Sequence, residues 1–217
     1  MKTCLLLFAA VVSLSTLTGC VSNPINAYTG SRYYDYGFQA ADAGDYALAR
    51  TNFYRALVNA QMGNLGPAAE ASCAYELARM SGYVGMYPDA EKDFNDTLVL
   101  IDKAKGKADK LRAPTLCELA RLLYDTGQYR KAIPVYEKAL GELEKTSVAK
   151  DDPIGFADFL DDYGSCLRAA GESARGDEIA HRAAVVREEN KGLTAKFIPK
   201  RYKAEPSASA NGAAPRR

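Results

Sequence analysis

The stretch Leu116–Leu140, LCELARLLYDTGQYRKAIPVYEKAL, has the pattern of two helices joined by a tight turn. Apolar residues at helical spacing form one face before the turn: Leu116, Leu119, Ala120 and Leu123. Gly127 then favours the end of this helix, because glycine enters the left-handed conformation without a steric cost. A second apolar face follows, formed by Ala132, Tyr136, Ala139 and Leu140. The stretch therefore predicts a helical hairpin with small residues where the helices touch.

The same pattern recurs around three other glycines, at successive separations of 41, 42 and 44 residues along Gly44, Gly85, Gly127 and Gly171. A small residue stands seven positions before each glycine: Gly37, Ala78, Ala120 and Gly164. An aromatic residue stands nine positions after the first three, at Phe53, Phe94 and Tyr136, whereas the fourth copy has Ala180. These columns predict one helical domain over residues 32–190, made of hairpins at 32–62, 71–104, 113–146 and 157–190. Stacked copies can bury one continuous core, which a single copy cannot.

This pattern resembles the tetratricopeptide repeat, in its long-helix variety found in kinesin light chains. The resemblance implies an all-α fold, a right-handed α-solenoid of about four TPR-like helix hairpins with a period of ~42 residues. It also implies a concave surface, lined by the first helix of each hairpin, that binds a polypeptide. Transferred column by column, the groove-facing residues would be Tyr34, Phe38, Tyr75, Arg79, Tyr83, Cys117, Arg121, Tyr124, Asp161 and Arg168.

Two of these groove assignments have alternatives in the sequence. Glu76 and Glu118 precede Arg79 and Arg121 by three residues, a spacing that also allows local ion pairs along one helix. Cys117 is either a free or intermolecular thiol, or a small packed apolar residue. The Lys, Asn and Arg set of the family's carboxylate clamp is not reproduced, so binding of a C-terminal carboxylate is not expected.

The N-terminus has the features of a secretory signal peptide, with Lys2 followed by an apolar run from Cys4 to Leu14. Leu17-Thr18-Gly19-Cys20 resembles the lipobox of bacterial lipoproteins. The resemblance implies a signal peptide over 1–19, lipidation of Cys20 and a tether over 20–31. With Val21 rather than Asp after the cysteine, it implies an outer-membrane location facing the periplasm. An ordinary secretory signal with a chance cysteine is the alternative.

The helical pattern fades after Asn190. Residues 191–203 form a candidate C-terminal cap, because Phe197, Ile198 and Tyr202 would otherwise lack apolar contacts. Residues 204–217, EPSASANGAAPRR preceded by Ala204, have the composition of a disordered tail. Residues 191–217 carry seven basic residues against one acid, while the whole chain has a net charge of +1. This basic tail either favours an anionic surface or is simply solvated.

No recurrent catalytic motif is found in the sequence. His181 is the sole histidine and lacks a motif that would supply a nucleophile. The acids Asp151, Asp152, Asp158, Asp161 and Asp162 favour a helix N-terminus and do not have EF-hand spacing. We therefore expect a non-enzymatic scaffold with no cofactor, no metal, no small-molecule substrate and no nucleic acid, whose partners are a periplasmic polypeptide and the membrane that holds its anchor. A structural subunit of an envelope complex, using its convex face or tail, is the first alternative, and an enzyme is the second.

Overall fold

A computed structural model describes residues 23–203, and all regular structure in that range is helical. Eight long helices form four hairpins, and a four-residue helix α7 lies between the third and the fourth. The bounds are α1 Pro24–Asp42, α2 Tyr46–Met62, α3 Pro67–Tyr83, α4 Tyr87–Lys103, α5 Arg112–Asp125, α6 Tyr129–Leu143, α7 Val148–Asp151, α8 Pro153–Ala169 and α9 Ser173–Glu189. The all-α solenoid of TPR-like hairpins is confirmed.

The four turn glycines act as the sequence predicts. Their φ angles are 79° at Gly44, 82° at Gly85, 77° at Gly127 and 93° at Gly171. Each ends the first helix of a hairpin in the left-handed region that other residues enter at a cost. The second helix starts two residues after each glycine, so the turn fixes where the second apolar face begins.

The columns that define the repeat form the core. The small residues five positions after the first three turn glycines, Ala49, Ala90 and Ala132, are fully buried. The aromatic column packs beside them, with Phe53, Phe94 and Tyr136 each at most 1% exposed. One apolar cluster runs from the second hairpin to the fourth, and three smaller clusters continue it through the first two hairpins.

Helix starts account for the main departures from the predicted bounds. Helix α1 begins at Pro24, so residues 24–31 of the predicted tether are helical. The Asn23 side chain accepts a hydrogen bond from the backbone N–H of Ile25, and proline suits the first helical position because its missing N–H is not needed there. Asp152 and Pro153 start α8 in the same way, four residues before the predicted fourth hairpin. Local capping thus lengthens the first and the fourth hairpin, and the periodicity of apolar residues does not reveal such caps.

The C-terminal segment, residues 191–203, does not cover the end of the fourth hairpin as a cap would. It carries no regular structure beyond the turn at α9 and runs back along the first helices. Of the three apolar residues that motivated the cap, Tyr202 is 5% exposed, whereas Phe197 and Ile198 are 57% and 81% exposed. The predicted signal peptide, Cys20 and the predicted disordered tail at 204–217 lie outside the described residues.

The contact between α8 and α9 offers a test of the small-residue columns. A Cβ at Gly164 would stand 2.9 Å from the carbonyl oxygen of Gly176, so a methyl group there must push the helices apart. We expect Gly164→Ala to lower the free energy of unfolding by about 2 kcal/mol, as overpacking does. Urea unfolding followed by circular dichroism measures the change.

Gly141→Ala is the matched control, because this glycine also lies in a helix but has no atom within 4 Å of the added methyl. It should raise the free energy of unfolding by up to about 1 kcal/mol, since alanine is the better helix former. Equal losses for the two variants would contradict the close-approach argument.

Candidate groove and its bound segment

The sides of α3, α5 and α8 that face the C-terminal segment form a surface that we call the groove. The segment enters it beside α8, where the backbone N–H of Lys196 donates to Asp152 Oδ1 at 3.1 Å. Further along, the side chain of Lys200 reaches the first hairpin, where Nζ donates to the hydroxyl of Tyr46 at 2.7 Å. Side chains of all four hairpins therefore contact residues 196–202 of the segment.

Tyr202 is the deepest residue of the segment. Its ring stacks on Tyr83 with centroids 5.0 Å apart and lies against Phe94 at 6.5 Å. The ring occupies the space above Gly82 in α3, where a Cβ would stand 2.4 Å from two of its carbons. Its hydroxyl donates to Glu118 in α5, and burial raises the pKa of that hydroxyl well above its usual value. Gly82 thus provides a slot for one aromatic ring.

Both backbone polar groups of Tyr202 are also bound. Its N–H donates to Asp125 Oδ2 at 2.8 Å, and its carbonyl accepts from the hydroxyl of Tyr87 at 3.2 Å. The groove therefore holds main chain as well as side chain at this position, which is how peptide-binding surfaces gain affinity independent of sequence.

Arg201 lies between two carboxylates from different hairpins. Its guanidinium donates to both oxygens of Asp162 in α8, at 2.8 and 2.7 Å, and to Asp125 at the end of α5. It also lies over the ring of Tyr124 at 5.2 Å. Burial raises the pKa of Asp125, and the Tyr202 N–H and Arg201 partly offset that rise. The arginine thus compensates a carboxylate whose side chain is only 3% exposed.

The two arginines predicted for the groove form the local pairs that the sequence also allows. Arg79 donates to Glu76 at 2.8 Å, and Arg121 NH1 lies 3.0 Å from Glu118 Oε1. Arg121 is 6% exposed and its Nε also approaches Asp162 at 3.8 Å. Because Glu118 and Asp162 bind the segment as well, these pairs belong to the electrostatics of the groove.

A cavity of ≈ 500 Å³ lies beside the segment, between α3, α5 and α8. Tyr75, Cys117 and Arg121 line it from the helices, and Phe197 and Pro199 line it from the segment. Burial raises the pKa of the Cys117 thiol to about 12. The thiolate is the reactive form of cysteine, so this raised pKa favours the packed apolar residue over the reactive thiol.

The structure separates the ten predicted groove residues into four sets. Tyr83 and Tyr124 contact the segment, while Tyr75, Cys117 and Arg121 line the cavity and Arg79 stands between the rings of Tyr75 and Tyr83. Tyr34 and Phe38 pack edge-on against Phe53 in the first hairpin, outside the segment's contacts. Asp161 and Arg168 turn toward α9, where they pair with Arg187 and Asp177.

Sequence reasoning missed the acids that contact the segment, although a column of them is visible. One acid stands nine positions before each turn glycine: Asp35, Glu76, Glu118 and Asp162. Two of these four, Glu118 and Asp162, bind the segment. No other hairpin has a glycine at the position of Gly82, and Asp125 is matched only by Asp42 of the first hairpin, so repetition could not have identified them.

Among residues 23–203 no group of three or more His, Cys, Asp or Glu side chains is arranged to hold a metal ion. His181 is exposed on α9. Asp152 caps α8, and Asp158 and Asp161 both pair with Arg187. No helix in this described part of the chain is long and apolar enough to cross a membrane.

Residues 70–141, the second and third hairpins, match the sequence model of a tetratricopeptide repeat. Over these residues the chain is similar to that repeat family. BtubC (BKLC) from P. vanneervenii is similar in structure, with a TM-score of 0.68 and 18% identity, covering 81% of this chain and 69% of that one. MamA follows with a TM-score of 0.60 and 15% identity, covering 78% and 85%.

The nearly identical TPR-like repeats of a Podosopora anserina protein assigned to the kinesin light chains are also similar. Their TM-score is 0.61 at 16% identity, with 77% of this chain and 82% of that one covered. At these identities the likeness shows the repeat fold alone. No curated protein sequence matches the chain.

The buried Arg121 of the third repeat gives a stability prediction. Arg121→Ala leaves Glu118 buried without its cation, so the free energy of unfolding should fall by about 3 kcal/mol. Lys92→Ala is the control, because Lys92 pairs with Asp96 on an exposed face of α4, where solvent screens the pair and its loss should change stability far less. Urea unfolding compares the two, and a loss at Arg121 no larger than at Lys92 would refute the buried pair.

Proposed function

We propose that this protein is a lipid-anchored scaffold of the bacterial cell envelope that binds a polypeptide partner in its groove. The observation that supports groove binding most directly is the extended C-terminal segment, which the groove holds through main-chain and side-chain contacts. A surface that accommodates residues 196–202 of its own chain in this way has the shape and polarity to accommodate another polypeptide.

The N-terminal sequence supports the envelope location. Leu17-Thr18-Gly19-Cys20 has lipobox form, and an acylated cysteine with several chains would attach the protein stably to a bilayer. Three residues separate Cys20 from the start of α1 at Pro24, so the two are four residue steps apart, a span of at most ~14 Å at about 3.6 Å per step. The first hairpin would therefore lie against the membrane surface, and Val21 in place of Asp favours the outer membrane, facing the periplasm. Assistance to secretion or pilus assembly is a role that such an arrangement suits.

The first hairpin supports a second candidate, a structural subunit of an envelope complex. Ile25, Tyr28, Tyr54 and Met62 are each more than half exposed on α1 and α2. These residues give the first hairpin an apolar outer surface on which a neighbouring subunit could pack.

The anchor is tested by Cys20→Ser. The wild-type chain should incorporate an alkyne-labelled fatty acid in cells and sediment with membranes, because the thiol and the new amine are the acylation sites. The variant should show no label and should lose membrane association. Unchanged labelling or sedimentation of Cys20→Ser would contradict the lipoprotein assignment.

Groove binding is tested by placing a photo-crosslinking amino acid at Tyr75, which lines the cavity, in intact cells. Tyr28 on the first hairpin and the exposed Lys138 on α6 serve as comparison positions. A polypeptide captured at position 75 and not at 138 is the expected result. Capture at position 28 alone would favour the structural subunit, and equal capture at all three positions would refute the groove.

A further inference from the structure

We propose that the groove recognises a basic residue followed directly by a tyrosine, and that Arg201-Tyr202 is an intramolecular occupant that the partner must displace. This inference rests on the proposed function, since it names the chemistry of the polypeptide that the groove binds. Three features of the described residues support it: a buried carboxylate, a slot for one ring, and a segment held at few points.

The buried carboxylate is that of Asp125. Its partners among residues 23–203 are the Arg201 guanidinium and the N–H of Tyr202, both from the segment. Removing the segment would take away both partners, and an occupant that covered this carboxylate without supplying a cation would leave a charge buried and unpaired, which is unfavourable. A replacement occupant is therefore favoured if it carries a cation at the Arg201 position and a free backbone N–H at the next residue.

The slot selects the second residue. The missing side chain of Gly82 makes room for a planar ring against Tyr83, and Glu118 accepts a hydrogen bond at the far end of that ring. Phenylalanine would fill the slot but would not reach Glu118 with a donor. Tyrosine satisfies both the apolar walls and the buried acceptor, so the slot prefers it.

The segment is held at few points, which makes exchange feasible. Leu193, Phe197 and Ile198 are each more than half exposed, so the ten residues between α9 and Lys200 contribute little apolar burial. Segments with few buried contacts open at a small fraction of the global unfolding cost. Because the occupant is tethered, it competes at an effective concentration on the order of 1 mM, and a partner needs matching chemistry to displace it.

The test uses the full chain and a fluorescent peptide with the sequence of residues 195–203, AKFIPKRYK, as the probe. Anisotropy measures its binding to the wild-type chain and to a full-length Arg201→Ala/Tyr202→Ala chain, in which the groove is vacated. We expect the vacated chain to bind the probe at least tenfold more tightly than the wild type. Ile198→Ala is the matched control, because Ile198 is 81% exposed, and it should bind the probe as the wild type does.

Two probe variants test the recognition chemistry. A peptide with Arg201→Glu should bind the vacated chain at least tenfold more weakly than the unmodified probe. A peptide with Tyr202→Phe should bind it severalfold more weakly than the unmodified probe. Asp125→Asn, introduced into the vacated chain, should weaken binding of the unmodified probe. It should also reduce the difference in affinity between the peptides with Arg and with Glu at position 201. Equal binding of all three peptides would overturn the proposed specificity, as would equal binding of the probe to wild-type and vacated chains.

Folding and exchange between copies are checked in the same samples. Circular dichroism at 222 nm shows whether the vacated chain keeps its helices, and the milder Tyr202→Ala chain, in which every groove residue is unchanged, provides a second vacated groove if it does not. Light scattering should show a wild-type monomer; a dimer that dissociates in the vacated chain would show that the tail binds another copy, which contradicts an intramolecular occupant.

Failure of the recognition chemistry and failure of the scaffold role give different results in the peptide-binding and crosslinking experiments. Capture of a partner at Tyr75 without probe binding to a folded vacated chain would leave the scaffold role intact and reject the recognition chemistry. Probe binding without any captured partner would reject the scaffold role and leave the groove's chemistry in place. If both proposals hold, crosslinking at Tyr75 should increase severalfold in the vacated chain.

Discussion

The close approach of two helices within each hairpin is the constraint on which the structure depends. Side chains no larger than a methyl group stand at the contact, and the fourth hairpin brings Gly164 so near Gly176 that even a methyl group does not fit. This approach leaves the large aromatics Phe53, Phe94 and Tyr136 as the residues that fill the space between hairpins. The first helices are thereby set side by side, which is what creates a common groove.

The repeat was predictable from sequence because it depends on local periodicity that is seen four times. The turn glycines, the small columns and the aromatic column all occupy the places that Leu116–Leu140 indicates. The start of α1 at Pro24 was missed because one cap, Asn23, determines it without any periodic signal. Groove residues were predicted less well, since Asp161 and Arg168 share a helix with Asp162 but turn toward α9.

The path of the C-terminal segment could not be predicted from local pattern. Its contacts join residues up to 154 positions apart, and they depend on single side chains such as Asp125 and Tyr202. The basic character of the C-terminus was visible in sequence, but not that Arg201 would meet acids contributed by α5 and α8. The arginines Arg79 and Arg121 illustrate the same limit: their local partners were visible in sequence, whereas the burial of Arg121 was not.

Gly82 has a consequence for a surface built by repetition. A groove made of similar hairpins offers an extended peptide several binding registers, each shifted by one repeat. The positions equivalent to Gly82 are Ala41, Tyr124 and Arg168, and all three carry a side chain. The ring slot therefore exists at one place, between the second and third hairpins, and it breaks the translational symmetry of the solenoid. The missing side chain at Gly82 therefore fixes the register in which a bound polypeptide lies along the repeats.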